Sequence, residues 1–300
     1  MDETEFIWMD GKLVPWKDAK IHVLTHTLHY GGGVFEGVRF YETDKGQAIF
    51  RLKEHTDRLF KSAEVFEMEI PFSKEEINKS TLEIVKINKV KSGYVRHMGY
   101  FGYGKMGLNP KGAPVNVLIA VWPWGTYLGE EAVRIKIPKI IKLHPESTDP
   151  NAKICGNYAN SILASIEIKR DGYDEALLLD YKGNIAEGPG ENIFMVKDGK
   201  IYTPPLGNVL PGITRDSVIQ IAKDEGFEVE EKVLTKEDIF NADEAFFTGT
   251  AAEVTAIASL NDKPIGEKAP GPITVKLKTI YLDAVQGKIP KYESWLSYVN

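Results

Sequence analysis

The apolar positions of this chain fall into alternating and helical runs, and the rhythm changes near the middle. Residues 6–9, the Asp10-Gly11 turn and Leu13-Val14 predict a β-hairpin, because Asp-Gly tolerates the positive φ angles of a tight primed turn. Residues 34–41 and 48–51 predict a second hairpin across Asp44-Lys45-Gly46. Over residues 55–66, Leu59, Phe60, Ala63 and Phe66 recur at helical spacing on one stripe. Ser73 reads as the cap of another helix that reaches about residue 90. Residues 93–102 and 115–122 predict long strands, joined by a loop rich in Gly and Pro.

The segment Pro123-Trp124-Gly125-Thr126-Tyr127-Leu128-Gly129 breaks the pattern and marks a domain boundary. The expected division is a small N-terminal domain over 1–124, a linker over 125–134 and a larger C-terminal domain over 135–300. In the second part helices are expected at 157–170, 214–225 and 273–286. Strands are expected at 175–179, 227–233, 244–248 and 254–260, with a hairpin turning through Asp198-Gly199. The mixture predicts an α/β (α+β) protein. No internal repeat or low-complexity tract interrupts it.

Composition narrows the function. A chain of 300 residues that is 43% hydrophobic can build a sizeable core in two domains. A net charge of -6 argues against a nucleic-acid binder. The single cysteine, Cys155, excludes an intrachain disulfide and fits a reducing compartment. The acidic start, Met1-Asp2-Glu3-Thr4-Glu5, does not read as a signal peptide, and the apolar stretch 117–122 is too short to span a bilayer. A cytoplasmic protein without membrane or nucleic-acid partners is expected.

Four motifs carry candidate chemistry. Lys153 stands in Asn151-Ala152-Lys153-Ile154-Cys155-Gly156-Asn157-Tyr158, just before a helix. Its apolar and small neighbours can desolvate the ammonium and lower its pKa, as a Schiff-base lysine requires, although an isolated lysine is ordinarily a solvated surface residue. Glu187 and Glu191 lie in the turn Glu187-Gly188-Pro189-Gly190-Glu191-Asn192. Turn composition alone reads them as solvated acids; the functional reading pairs Glu187 with a cationic ring nitrogen. Gly212-Ile213-Thr214 opens a helix whose N-terminus suits a phosphate, the plain alternative being N-capping by Thr214. Thr248-Gly249-Thr250-Ala251 follows a strand and offers further N–H donors, and Arg58 can add a charge-assisted contact. Amine, carboxylate and phosphate-binding turns together point to pyridoxal 5′-phosphate (PLP).

Tyr94 and Arg96 share one strand face and can meet a substrate carboxylate, or simply form a solvated polar edge. Phe35, Trp124 and Tyr127 can wall an apolar pocket or belong to the core. His26 and His29 have a spacing compatible with a metal, but no Cys, Asp or Glu cluster supports one, and no metal site is expected. Cys155 reads as a small buried filler.

Taken in order, these motifs resemble the branched-chain amino acid aminotransferases, fold-type IV (class IV) PLP enzymes. The resemblance begins with His29-Tyr30-Gly31 and Val34-Phe35-Glu36-Gly37-Val38-Arg39. It continues through Arg58, Tyr94-Val95-Arg96 and Met106-Gly107-Leu108-Asn109-Pro110 to the four motifs above. It implies a small α/β domain, a larger domain with a mixed barrel-like sheet, and a cofactor at the domain interface. It further implies Lys153 as the Schiff-base lysine, Glu187 as partner of the pyridine nitrogen and Tyr158 as the hydroxyl on the phenolic oxygen. Arg58, Ile213, Thr214 and Thr250 resemble the phosphate cup. Tyr94, with the backbone of Thr250 and Ala251, resembles the α-carboxylate site, and Arg96 the arginine that meets the distal carboxylate of glutamate or 2-oxoglutarate. Phe35, Trp124 and Tyr127 resemble the side-chain pocket. Tyr30 and Leu108 resemble residues that a second subunit contributes, so a homodimer or higher homo-oligomer is implied; Leu108 stands where a smaller valine is common.

The implied reaction is ping-pong transfer of the amino group of leucine, isoleucine or valine to 2-oxoglutarate, giving glutamate and the matching 2-oxo acid. A D-amino acid or (R)-amine aminotransferase of the same fold is the alternative. A lyase acting on aminodeoxychorismate and a non-catalytic cofactor carrier are more distant ones.

Overall fold

The computed structural model describes residues 2–125, 128–129 and 131–299. They divide into two compact units. The first opens with strands β1 (Phe6–Met9) and β2 (Lys12–Pro15), followed by the short helix α1 (His26–Tyr30). Strands β3 (Gly33–Thr43) and β4 (Gly46–Phe50) form the second hairpin. Helices α2 (Leu52–Glu64) and α3 (Lys74–Asn88) come next, then strands β5 (Gly93–Phe101) and β6 (Val115–Pro123). Helix α3 starts where Ser73 predicts, in a capping box: Glu76 N donates to the Ser73 hydroxyl, and the Glu76 carboxylate accepts from Ser73 N.

The second unit contains β7 (Val133–Lys136), helix α4 (Tyr158–Arg170), β8 (Glu175–Ala176), β9 (Asn192–Lys197) and β10 (Lys200–Thr203). Helix α5 (Ile213–Asp224), β11 (Val229–Glu231), α6 (Lys236–Phe240), β12 (Glu244–Gly249), β13 (Glu253–Leu260) and β14 (Lys263–Pro264) follow. Helix α7 (Pro272–Val285) leads to the last strand, β15 (Leu296–Tyr298).

The chain returns to the first unit twice after leaving it at Gly125: residues 152–157 and 283–300 both belong there. Strand β15 pairs antiparallel with β4, giving a seven-stranded sheet in the order β15-β4-β3-β5-β6-β1-β2. A single linear division in the linker, as expected from the sequence, is a simpler partition than this. The second unit's sheet runs β11-β10-β9-β12-β13-β7-β8, with β14 on β13. It is mixed: β10/β11, β7/β13 and β7/β8 are parallel, whereas β9, β12 and β13 pair antiparallel.

Strand alternation separates a packing face from a chemical face in the first sheet. Val38 and Phe40 of β3, Val95 of β5, and Val117, Ile119 and Val121 of β6 form one buried cluster with Leu52 of α2 and Ile77, Ile84 and Val85 of α3. The intervening residues on β3, β5 and β6 include Phe35, Gly37, Arg39, Tyr94, Arg96 and Trp122. In the second sheet Ile193, Met195, Ala245, Phe247 and Ile257 line the packed face with Val133 and Ile135.

Two expected strands are shorter than their apolar runs. Ladder pairing of residues 175–179 stops at Ala176, and Leu179 forms an isolated bridge to Ile185. The expected strand at 227–233 is confined to Val229–Glu231. Among the described residues no helix is long and apolar enough to cross a membrane.

Candidate active site

Lys153 reaches the first sheet through its backbone. Strand β4 pairs β3 only from Phe40 onward, so the other end of that β3 edge is open for a new partner. Ile154 bridges Val34 there, and Phe35 N donates to Lys153 O at 3.1 Å. Lys153 N in turn donates to Ser62 Oγ of α2 at 2.9 Å. The Lys153 amine lies 4.8 Å from the centroid of the Phe35 ring. Its pKa is lowered to about 8, first by desolvation and then by the Arg58 charge; Glu36 and Tyr94 act in the opposite direction. A larger share of the amine is therefore neutral at pH 7 than in an ordinary lysine.

On the chemical face, cross-strand neighbours bring Tyr94 beside Trp122, and Arg96 opposite Gly37. The Arg96 guanidinium lies over Phe35 at 4.8 Å, Tyr94 at 5.5 Å and Trp122 at 6.0 Å. Among the described residues its buried Nε has no hydrogen-bond partner, nor has Trp122 Nε1. The Tyr94 ring packs on Trp122 at 5.3 Å and Trp124 at 5.2 Å. Tyr94 is buried on a central strand, so the reading of this pair as a solvated edge is corrected. Arg39 fixes the end of this face by donating to the carbonyls of Trp124 and Gly125. Gly37 is required here: a Cβ at that position would sit 1.8 Å from Tyr94 Oη.

Arg58 lies on α2 and donates through Nε and Nη2 to the two oxygens of Glu36, at 2.6 and 2.9 Å. His55 Nδ1 meets the same carboxylate at 2.7 Å. Burial opposes the charge on Glu36, but Arg58 and His55 outweigh it and hold the carboxyl well below the usual carboxylate range.

In the second unit, Glu187 and Glu191 are both buried, which corrects the reading of their turn as solvated. Glu187 Oε2 accepts from Asn192 Nδ2 and from Leu210 N, each at 3.0 Å. Oε1 forms an ion pair with the Lys142 ammonium. Asn192 Nδ2 also donates to Leu210 O at 2.9 Å, which ties the glutamate to the turn before α5. Gly212 matches this contact, since a Cβ there would stand 2.0 Å from Asn192 Oδ1.

Gly212, not Thr214, is the N-cap of α5, and as a glycine it brings no capping side chain of its own. Thr214 lies inside the first turn with Ile213, and both are buried. The capping alternative for Thr214 is thereby corrected. Thr250 and Ala251 lie in the turn between β12 and β13, and Tyr158 is the first residue of α4. Tyr30 and Leu108 are exposed, Leu108 at 86%. His26 Nε2 and His29 Nε2 each meet a backbone carbonyl, of Gly107 and Val23. Cys155 is half-buried, and burial pushes its thiol up to about 11. Tyr127 lies outside the described residues.

These residues suit PLP. A desolvated amine suits an aldehyde, and Glu187 already holds a cation on the oxygen that Asn192 and Leu210 do not use. The start of α5, on a glycine N-cap, suits a phosphate. Ser62, which holds the Lys153 backbone in the first unit, and Lys142, which pairs with Glu187 in the second, belong to none of the motifs read in the sequence.

The chain is also similar to known proteins. Residues 33–260 match the family model described as amino-transferase class IV. A branched-chain-amino-acid aminotransferase of Pseudomonas aeruginosa is 48% identical over 303 residues, covering 100% of this chain and 99% of the relative. The crystal structure of a T.th. branched-chain amino acid aminotransferase with pyridoxamine 5′-phosphate superposes with a TM-score of 0.97 at 47% identity, covering 100% of both chains. The same T.th. enzyme complexed with N-(5′-phosphopyridoxyl)-L-glutamate matches with a TM-score of 0.97 at 47% identity, again covering 100% of both chains.

Proposed function

The chain belongs to the class IV amino-transferase family, and from that premise we propose that it is a PLP-dependent branched-chain L-amino acid aminotransferase. It moves the amino group of leucine, isoleucine or valine to 2-oxoglutarate by a ping-pong route. The observation that carries this reading is the placement of one ring, Phe35, 4.8 Å from both the Lys153 amine and the Arg96 guanidinium. An apolar surface and a fixed cation thus adjoin the same amine. A site for both an aliphatic side chain and a distal carboxylate needs that combination.

When bound, PLP supplies an aldehyde that takes up the amino group and a ring that accepts the electron pair left at the substrate Cα. Lys153 anchors the cofactor and, once released, moves the proton from Cα through its neutral Nζ. Glu187 holds the pyridine nitrogen, and Tyr158 the phenolic oxygen. Arg58, Ile213, Thr214 and Thr250 hold the phosphate, the isoleucine through its N–H. Tyr94, with the backbone of Thr250 and Ala251, orients the α-carboxylate. Arg96 receives the distal carboxylate, while Phe35, Trp124 and Tyr127 exclude water around an aliphatic side chain. The exposed Tyr30 and Leu108 complete the site of a second copy in a homodimer. The protein works in the cytoplasm, in keeping with its single cysteine.

Borohydride reduction of the PLP-loaded protein, followed by peptide mapping, tests the assignment: the tag falls on Lys153, and a tag elsewhere overturns it. Lys153→Ala loses steady-state turnover by several orders of magnitude. A donor panel of L-leucine, D-alanine and an (R)-arylamine separates this activity from the D-amino acid and (R)-amine alternative, which the named relatives do not favour. Sedimentation reads the dimer directly.

A further inference from the structure

Glu36 is the fully buried carboxylate of β3, on the strand face turned toward α2. A carboxylate so enclosed persists only when paired and hydrogen-bonded. His55 and Arg58 stand three residues apart on α2, so one helix face delivers both partners. Arg58 engages Glu36 through the edge formed by Nε and Nη2. A planar guanidinium has a second edge, formed by Nη1 and the other Nη2 hydrogen, and that edge points away from Glu36. Two bonds on the first edge fix the plane of the group and so the direction of the second. Ser62, one turn further along α2, accepts the Lys153 N–H, so the same helix positions both the arginine and the reacting lysine.

We propose that Glu36 is a positioning residue that aims the second edge of Arg58 at the cofactor's phosphate. This role rests on the assignment of Arg58 to the phosphate in the preceding section. Arg58 and His55 keep Glu36 ionised well below neutral pH despite its burial, so the fork persists across the working range. The role is confined to the phosphate and does not extend to the ring or the aldehyde.

The experiment is titration of the cofactor-stripped full chain with PLP and, separately, with pyridoxal, which lacks the phosphate, following quenching of tryptophan fluorescence. The PLP-to-pyridoxal affinity ratio is the readout, because general damage to the fold weakens both ligands alike. Arg58→Gln lowers the ratio and establishes the phosphate contact. Glu36→Gln lowers it on the order of tenfold, as removal of outer hydrogen-bond partners does at metal sites. The double variant falls no further than Arg58→Gln alone. Glu36→Asp, which keeps the charge but draws it back by one methylene, carries the same comparison if the glutamine variant does not fold. An unchanged ratio in the Glu36 variants beside a lowered ratio in Arg58→Gln overturns the proposal, as does an equal loss of PLP and pyridoxal. An unchanged ratio in Arg58→Gln overturns the phosphate assignment itself, and the proposal with it.

Discussion

The Ser62 hydroxyl accepts the backbone N–H of Lys153 at 2.9 Å and donates its own proton to the Arg58 carbonyl at 2.8 Å. One small side chain thus links the lysine segment to the last turns of α2, across 91 residues of sequence. Ser62 is fully buried, so its removal leaves the Lys153 N–H without that acceptor. Ser62→Ala is expected to lower stability by about 1–3 kcal/mol, the cost of an unsatisfied buried donor. Urea unfolding of the cofactor-stripped protein measures it, and an unchanged midpoint with an unchanged slope refutes the link.

The lowered pKa of Lys153 has a definite sign in stability. Between about pH 8 and the ordinary lysine value near 10.5, the unfolded chain holds a proton that the folded chain has released. Stability contributed by this group therefore rises with pH across that window and is at its least favourable below pH 8. Lys153→Met removes a desolvated ammonium, so the cofactor-stripped variant should melt above the wild type at pH 7. The gain is at most on the order of 3 kcal/mol. It should shrink as the pH climbs from 8 toward 10.5. A variant that melts lower at pH 7, or a difference that ignores pH, shows that the amine is not desolvated.

The parts of this protein legible in its sequence are those whose evidence is local. The Ser73 cap, the Asp10-Gly11 and Asp198-Gly199 turns and the stripe of α2 are each readable because cause and consequence lie within a few residues. The motifs around Lys153, Glu187 and Gly212 are readable through their order along the chain. Contacts between residues distant in sequence leave no such trace. Lys142 meets Glu187 across 45 residues, and Glu36 meets Arg58 across 22. Helix α1 is barely longer than one turn, too short to display a period. Strand β15 has three residues and exists only because β4 offers an edge. The two buried glutamates look solvated in sequence for a related reason: a Gly-Pro-Gly turn has a surface composition, and it is distant residues such as Lys142 and Leu210, together with Asn192, that cover the Glu187 carboxylate.

Lys142 pairs with Glu187 Oε1, on the carboxylate proposed to hold the cofactor's ring nitrogen. Lys142→Met should leave that carboxylate dependent on Asn192 and Leu210 alone. The cofactor-free variant is expected to lose roughly 1–3 kcal/mol. PLP then restores a charge partner, so its addition should raise the melting temperature more in the variant than in the wild type. Differential scanning calorimetry with and without PLP measures both numbers. An equal or smaller PLP-induced rise would mean that the two cations do not share one acceptor.

The proposed roles of Arg96 and the aromatic rings around it divide the two substrates between charge and shape. Arg96→Gln keeps a polar side chain and removes the charge held over Phe35 and Tyr94. The KM for 2-oxoglutarate should rise by about tenfold or more, since a desolvated charge partner contributes well over about 1 kcal/mol. The KM for leucine should move by less than about threefold, because its side chain brings no charge to the arginine. Steady-state kinetics with each substrate varied separately decides it, and parallel losses for both would deny Arg96 its selective role.

Gly37 offers the complementary case, in which both substrates should suffer together. Its Cα lies under the Tyr94 hydroxyl, and a methyl group there would approach Oη to 1.8 Å and Cζ to 2.5 Å. The tyrosine cannot retreat easily, because Trp122 and Trp124 pack on its ring at 5.3 and 5.2 Å. Gly37→Ala should therefore cost about 1–3 kcal/mol in overpacking and displace the phenol. Tyr94 is assigned to the α-carboxylate that every substrate carries, so KM should rise for leucine and for 2-oxoglutarate in the same variant. The contrast with Arg96→Gln is the test: a rise for one substrate only, or none at all in a protein that has plainly lost stability, removes Tyr94 from the shared carboxylate site.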